Sequence, residues 1–312
     1  MSRPAVLMIG SLPKDITEPV DAEFNAYGLW QADDRDGVLR QAADEVRGIA
    51  AGGMGADAGL IEALPKLEII SSFGVGYDAI DVAAAAARGI IVTNTPDVLN
   101  DDVADLALAL LLAANRSLVT GDRYVRAGRW LEGDLPLATK TAGQTVGILG
   151  LGRIGKAIAA RAEACGVTIV YHGRRHQPDQ PYRYYRSLTA MAADADVLIV
   201  ICPGGEATTR IVDAEVLQAL GPNGVLINVA RGSVVDQAAL VAALTEGRLR
   251  AAGLDVYEDE PRVPEVLFDL DNVILLPHLG SATVETRAAM CNLVVENLRR
   301  HFAGQPVLTP VT

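Results

Sequence analysis

Three residues of this chain have the types and the placement that carbonyl chemistry needs. Arg231 follows the apolar run 225–229, Glu260 follows the run 251–256, and His278 follows the run 273–276. Each run has the length and apolar density of a buried parallel strand. Each polar group therefore stands past a strand's carboxyl end. In a parallel sheet these ends share one edge, and open α/β sheets bind their ligands there. Arg231 can hold a carboxylate bidentately and polarise a neighbouring carbonyl oxygen. His278, as imidazolium, can pass a proton to that oxygen. Glu260 can accept the other ring N–H, fix the ring and favour its charged form by proximity. Of the four histidines, His172, His176, His278 and His301, only His278 follows a strand-like run within a turn framed by proline and glycine. Taken singly, each residue has an ordinary reading. Arg231 could cap a helix, His278 could be structural, and Glu260 could be one of the solvated acids of Glu258-Asp259-Glu260. Their recurrence on consecutive strands is what points to one site.

A second constellation says what reacts there. Thr145-Val146-Gly147-Ile148-Leu149 is an apolar run, and Gly150-Leu151-Gly152-Arg153-Ile154-Gly155 follows it. A helical segment, 156–165, and another apolar run, 167–171, come next. Strand, tight turn, helix and strand make the unit that places a dinucleotide pyrophosphate at a helix N-terminus. Gly150 permits the sharp turn, Gly152 lets backbone approach the phosphates, and Gly155 lets the helix lie close to the sheet. An NAD site usually carries Asp or Glu about 20 residues past the glycines, on the ribose 2′-hydroxyl. Here that slot reads His172-Gly173-Arg174-Arg175, without a carboxylate. Two guanidiniums suit a 2′-phosphate, each with a planar fork of donors. The expected cofactor is NADP(H), with NAD(H) the weaker alternative.

The elements that must position these groups alternate between the two periods. Strand-like runs at 5–9, 47–50, 67–71 and 90–93 alternate with helical ones at 58–64 and 81–88, in a first domain of about five strands. Ser72-Phe73-Gly74-Val75-Gly76-Tyr77-Asp78 is a glycine-rich loop whose free backbone N–H groups could hold a small carboxylate, or it is a plain turn. Asn94-Thr95-Pro96 reads as a crossover, and 101–118 as one long, very apolar helix buried on most sides. Trp130 caps a cleft or an interface, or anchors a loop. Further strands at 196–201, 225–229, 251–256 and 273–276 continue the second domain. The run at 196–201 ends at Cys202-Pro203-Gly204-Gly205. A final helix, 283–302, runs back to the first domain. The reading is an α/β protein of two doubly wound parallel-sheet domains. One is discontinuous, 1–99 with 284–312, and carries the substrate; the inserted one, 100–283, binds the cofactor.

Composition narrows the alternatives. A length of 312 suits two domains and a large core, and half of the residues are apolar with few aromatics, as closely packed helices on parallel sheets require. A net charge of −12 argues against a general nucleic-acid surface and leaves anionic ligands to local arginines. Cys165, Cys202 and Cys291 are scattered in apolar segments, with neither metal spacing nor a disulfide framework. No metal is expected, and a reducing cytoplasm is the expected compartment. The N-terminus runs straight into a strand-like segment with no signal peptide, and the longest apolar stretch, 106–114, is too short to span a bilayer.

These blocks together resemble the D-isomer-specific 2-hydroxyacid dehydrogenase family. The residues that carry the resemblance are Phe73-Gly74-Val75-Gly76-Tyr77-Asp78, the glycine turn, Asn228-Val229-Ala230-Arg231-Gly232, Leu254-Asp255-Val256-Tyr257-Glu258-Asp259-Glu260-Pro261 and Leu276-Pro277-His278-Leu279-Gly280-Ser281. The match spans essentially the whole chain. Within the family, Thr95-Pro96-Asp97-Val98-Leu99-Asn100-Asp101-Asp102-Val103-Ala104-Asp105 and the ending Pro306-Val307-Leu308-Thr309-Pro310-Val311 are most similar to the glyoxylate/hydroxypyruvate and hydroxyphenylpyruvate reductases, which favour NADPH. Asn100 stands where similar reductases often have Thr. Glu260 departs from the Gln of formate dehydrogenases.

The resemblance implies a Rossmann cofactor domain inserted in a flavodoxin-like substrate domain, two domains closing over a cleft, and a homodimer joined through the cofactor domain. It implies catalytic roles for Arg231, Glu260 and His278, and a substrate carboxylate held by Val75, Gly76 and Arg231 beside His278. It implies a cofactor lined by Gly150, Leu151, Gly152, Arg153, Ile154, Gly155, Gly173, Arg174, Arg175, Cys202, Pro203, Val229, Ala230, Arg231, Asp255, His278 and Gly280, with Asp255 by the nicotinamide carboxamide. The expected activity is NADPH-dependent reduction of a small 2-oxoacid to the D-2-hydroxyacid. Two other readings stand beside it: a non-catalytic dinucleotide-sensing regulator of the same fold, and an NAD-dependent dehydrogenase working in the oxidative direction. The side chain of the substrate depends on loops such as Gly52-Gly53-Met54-Gly55 and 131–137, the latter without the second Trp of some hydroxypyruvate reductases.

Overall fold

Continuous apolar runs bounded by short polar turns become strands buried on both faces, and two sheets result. The structure is a computed structural model that describes residues 3–53 and 55–311; Met54, in one of the expected substrate loops, lies outside the described residues. The chain divides into two compact units, 1–99 with 283–312 and 100–282.

In the first unit, β1 (Ala5–Ile9), β2 (Asn25–Gly28), β3 (Val46–Ala51), β4 (Ile69–Ser72) and β5 (Ile91–Thr93) form a parallel sheet in the order β2-β1-β3-β4-β5. Every residue of β1 and of β4 is buried. The order reverses between β1 and β3, so helices must cover both faces. The helix Val284–Phe302 covers one of them with Cys291, Val294, Val295 and Leu298. The polar residues inside are satisfied: Thr93 Oγ1 donates to Ser71 Oγ at 3.0 Å, and Ser71 Oγ to the Val294 carbonyl at 3.0 Å. Asp57 and Asp81 cap the helices Ala58–Glu62 and Val82–Ala87 through their side chains.

In the second unit, β6 (Thr145–Leu149), β7 (Thr168–His172), β8 (Arg183–Tyr185), β9 (Val197–Val200), β10 (Val225–Asn228), β11 (Ala251–Leu254) and β12 (Val273–Leu275) form a parallel sheet in the order β12-β11-β10-β9-β6-β7-β8. This is the dinucleotide-binding strand order with one strand added, and its switch point lies between β6 and β9. The expectation of two doubly wound parallel sheets is borne out.

The single helix expected over 101–118 is two helices. Asn100–Arg116 ends where Ser117 takes a left-handed conformation, φ 51°, and Leu118–Arg126 departs at 61°. The first of these buries Val103, Ala107, Leu110 and Leu111 in the unit's core, while the second buries no residue. No single helix among the described residues is long and apolar enough to cross a membrane; this bent pair passes that test only when joined, by length and composition. The sequence pattern also gave no sign of the helices Lys14–Glu23, Arg35–Ala42 and Leu188–Asp194 or of the short outer strands β2 and β8.

Candidate active site

The sheet of the second unit brings Arg231, Glu260 and His278 to one edge. They leave β10, β11 and β12, which are neighbours, and each is carried by a turn that buried groups hold. Asn228, the last residue of β10, is 2 % exposed. Its Oδ1 accepts from Ala230 N at 3.1 Å and its Nδ2 donates to the Arg231 carbonyl at 3.1 Å. A Cβ on Gly232 would collide with the backbone of Tyr257, so the Arg231 turn lies directly against the loop that leads to Glu260. Tyr257 ties that loop in turn. Its hydroxyl lies 3.0 Å from the Leu276 carbonyl and 3.3 Å from that of Leu254, and its N–H donates to Glu260 Oε1 at 3.0 Å. Burial pushes the Tyr257 phenol up to about 12, so it stays a neutral donor.

His278 sits in a left-handed conformation, φ 56°, which costs a non-glycine residue energy and marks a position fixed by its surroundings. The fixing group is Asp255, 1 % exposed. Its Oδ1 accepts from Leu279 N at 2.6 Å and its Oδ2 from Gly280 N at 2.8 Å, while its carbonyl accepts from His278 N at 3.0 Å. Burial pushes the Asp255 carboxyl above the usual range, against the pull of the two N–H donors.

The ring itself is oriented by Glu260, whose Oε2 lies 2.7 Å from His278 Nδ1. Burial raises the Glu260 carboxyl, but the hydrogen bond and charge of His278, the Tyr257 N–H and the Arg231 charge outweigh it. The carboxyl therefore lies below its ordinary range and is ionised at neutral pH. An ionised carboxylate only accepts, so Nδ1 carries the proton toward it and Nε2 faces away. Both side chains remain partly open to solvent. The arrangement can bind an anion, hold a ring in one tautomer and deliver a proton from Nε2.

The same edge carries the glycine turn between β6 and the helix Arg153–Glu163. Gly150 has φ 104°, and a Cβ on it would lie 2.7 Å from Cys202 N; one on Gly155 would run into the Gly150 carbonyl. A Cβ on Gly152 would meet nothing within 4 Å. Two glycines are thus closed in by protein, and the third opens over a helix N-terminus, as an approaching pyrophosphate requires. These residues fit a dinucleotide. Leu151 is buried, Arg153 is exposed and Ile154 is half-buried beside them. Cys202 and Pro203 follow β9, and burial pushes the Cys202 thiol up to about 11. Val229 and Ala230 are buried after β10. Past β7, Gly173 is half-buried, whereas Arg174 and Arg175 are exposed. Among the described residues no group of His, Cys, Asp or Glu could hold a metal ion.

Val75 and Gly76 belong to the first unit, in the loop after β4. Asn94 Nδ2 donates to the Val75 carbonyl at 2.9 Å, and Gly74 N to Thr95 Oγ1 at 3.1 Å, so the Asn94-Thr95 segment shapes that loop.

Asn228 and Tyr257 stand within the family blocks of the sequence, but the sequence reading gave them no role, and it gave Asp255 no part in holding His278. An Asn closing an otherwise apolar strand was the available signal for the first. The other two roles arise only when β11 and β12 lie side by side.

The model of the D-isomer specific 2-hydroxyacid dehydrogenase NAD binding domain matches residues 108–280. The chain is 51 % identical over 307 residues to the hydroxyphenylpyruvate reductase of Plectranthus scutellarioides, covering 98 % of each. It is equally 51 % identical, over 98 % of each chain, to the glyoxylate/hydroxypyruvate reductase A HPR2 of Arabidopsis thaliana. Among solved structures, the NADPH-dependent glyoxylate/hydroxypyruvate reductase of Sinorhizobium meliloti, in complex with NADP and malonate, superposes with a TM-score of 0.93 at 48 % identity, over 100 % of this chain and 97 % of that one. Together with the two parallel sheets and the Arg231, Glu260 and His278 corner, these likenesses assign the chain: it belongs to the D-isomer specific 2-hydroxyacid dehydrogenase family.

Proposed function

We propose that this protein reduces a small 2-oxoacid, such as glyoxylate, hydroxypyruvate or an aryl pyruvate, to the D-2-hydroxyacid with NADPH. The observation that carries the reading is the His278–Glu260 pair at 2.7 Å, on the strand edge shared by Arg231 and the glycine turn. Bound NADPH supplies the hydride. The turn from Gly150 to Gly155 holds the pyrophosphate, with Arg174 and Arg175 at the 2′-phosphate. Gly173, Cys202, Pro203, Val229, Ala230, Asp255 and Gly280 line the rest. Arg231 grips the substrate carboxylate and polarises the ketone oxygen. His278 gives that oxygen a proton from Nε2, and Glu260 holds the ring and offsets its charge. The family resemblance adds the backbone N–H groups of Val75 and Gly76 as donors to the carboxylate. On this reading 1–99 with 284–312 is the substrate domain and 100–283 the NADP-binding domain.

A panel of 2-oxoacids with NADPH and with NADH tests the proposal through loss of the reduced-nicotinamide absorbance. We expect turnover with at least one member, a higher kcat/KM with NADPH, and the D-enantiomer as product. Tight cofactor binding without turnover across the panel contradicts it.

The reading extends to a cytoplasmic homodimer. Leu118, Val125, Trp130, Leu131 and Leu137 of the second unit are exposed apolar side chains within the one stretch 118–137 of the chain. A second copy covering this face accounts for it, and light scattering should give twice the chain mass.

A further inference from the structure

The Arg174-Arg175 pair is not the only basic group at its corner of the sheet. The edge strand β8 runs beside β7 in register, with Tyr171 opposite Tyr184 and His172 opposite Tyr185. Neighbouring strands stand about 4.8 Å apart. Arg186, leaving β8, therefore emerges beside Gly173, leaving β7. Side chains alternate along a strand. Tyr185 is buried, while Tyr184 and Arg186 line a cavity of about 450 Å³ together with His176.

The cavity is framed from both strands. The Tyr184 hydroxyl donates to the Gly173 carbonyl at 3.1 Å. The Tyr184 ring lies parallel to that of His172, at 5° and 6.5 Å, and 5.4 Å from that of His176. At the loop's far end, Gln177 Nε2 donates to the Leu151 carbonyl at 2.8 Å, and Gln177 N to the Tyr171 hydroxyl at 2.7 Å. The segment holding Arg174 and Arg175 is thus tied to the glycine turn on one side and to β8 on the other. Arg183, three residues before Arg186, is engaged elsewhere: its guanidinium lies over the Tyr185 ring at 4.3 Å and 3.7 Å from Asp194. Arg186 instead stands at the cavity wall.

In this fold the ribose 2′-hydroxyl lies past the end of the strand that follows the glycine helix, here β7, with the pyrophosphate on the β6 side. Strand β8 is the neighbour of β7 on the side away from β6. We propose that Arg186, with His176 at the same cavity wall, is a third arm of the 2′-phosphate site. It approaches the phosphate from β8, while Arg174 and Arg175 approach from the β7 loop. Three anionic oxygens can take more than two donor forks, and a chain of net charge −12 offers this charge only locally. Tyr184 shapes the wall and fixes the loop. The proposal rests on the NADP(H) reading above.

The test is calorimetric binding of 2′,5′-ADP to the full-length protein and to Arg186→Ala, Arg186→Lys and Arg174→Ala, with KM for NADPH and NADH in parallel. We expect Arg186→Ala to weaken 2′,5′-ADP about tenfold, the size of one charge-assisted partner, and to raise the NADPH-to-NADH KM ratio by a similar factor. Arg186→Lys should recover part of the loss, because it keeps the charge without the fork. If Arg174→Ala weakens 2′,5′-ADP and Arg186→Ala does not, the third arm is overturned while the cofactor reading stands. If neither variant changes 2′,5′-ADP affinity, the cofactor reading and the third arm fail together.

Discussion

Two corners of the second unit carry different parts of the work and are built in different ways. At the ends of β10, β11 and β12, buried residues hold each functional group in place: Asn228 holds the Arg231 carbonyl, the Tyr257 N–H holds the Glu260 carboxylate, and Asp255 holds the turn at His278. Past β7 and β8, the functional groups are exposed side chains on a short loop and a strand end. The chemical corner fixes turns and side chains so that the reacting groups keep one geometry. The cofactor corner offers charge to a charged group and tolerates looser geometry. Changes at the first corner should therefore alter turnover and stability together. Changes at the second should alter cofactor choice and little else.

Arg231→Ala gives the largest effect expected from this contrast. It removes the carboxylate grip and the polarising charge at once, and kcat/KM should fall by about 10²–10³-fold or more. Steady-state kinetics with the best oxoacid of the panel measures it, and a loss under tenfold would remove Arg231 from the chemical corner. Next comes the double variant Arg174→Ala/Arg175→Ala. The ratio of kcat/KM for NADPH to that for NADH should fall by about 10²-fold, two charge-assisted partners being lost. Its melting temperature should stay near that of the parent, as for most surface substitutions. A large drop in melting temperature would break the comparison.

Asp255→Ala should do the opposite. It leaves the N–H groups of Leu279 and of the buried Gly280 without their acceptor, at a cost of about 1–3 kcal/mol. Thermal unfolding should show the loss, and turnover should drop with it because the left-handed turn at His278 loosens. Unchanged stability would mean that another group holds that turn.

The smallest effect is one of pH. The Glu260 carboxyl lies below its ordinary range in the folded protein. Its contribution to stability is therefore present above the ordinary glutamate range and lost as pH falls through the lowered folded value. The melting-temperature difference between the parent and Glu260→Gln should be flat from neutral pH down to about pH 5 and close below it. A difference that already closes near neutrality would contradict the assignment of an ionised Glu260.

Much of the chemical corner was legible because buried parallel strands are continuous apolar runs, and a charged residue just past one stands out. Arg231 and His278 were read that way, and the glycine turn by its spacing. The groups behind them were not legible. Asp255 and Tyr257 act across a strand pair, and no local pattern records that pairing. The same limit applies to the outer elements. Pro19 lies inside the helix Lys14–Glu23, which local preference alone would break. The helix Arg35–Ala42 begins in the charged stretch Asp33-Asp34-Arg35-Asp36. The strands β2 and β8 are short and lie at sheet edges. The bend at Ser117 breaks a helix whose apolar pattern runs on toward 118. At the cofactor corner Arg174 and Arg175 were visible in the motif slot, but Arg186 joins them only because β8 pairs with β7.

The central claim is that His278 delivers the proton that completes reduction. Its most direct test is kcat for His278→Gln at saturating NADPH and oxoacid, with cofactor saturation checked by nicotinamide fluorescence. A fall of about 10²–10⁴-fold is the expected result. Turnover within a few-fold of the parent would contradict it.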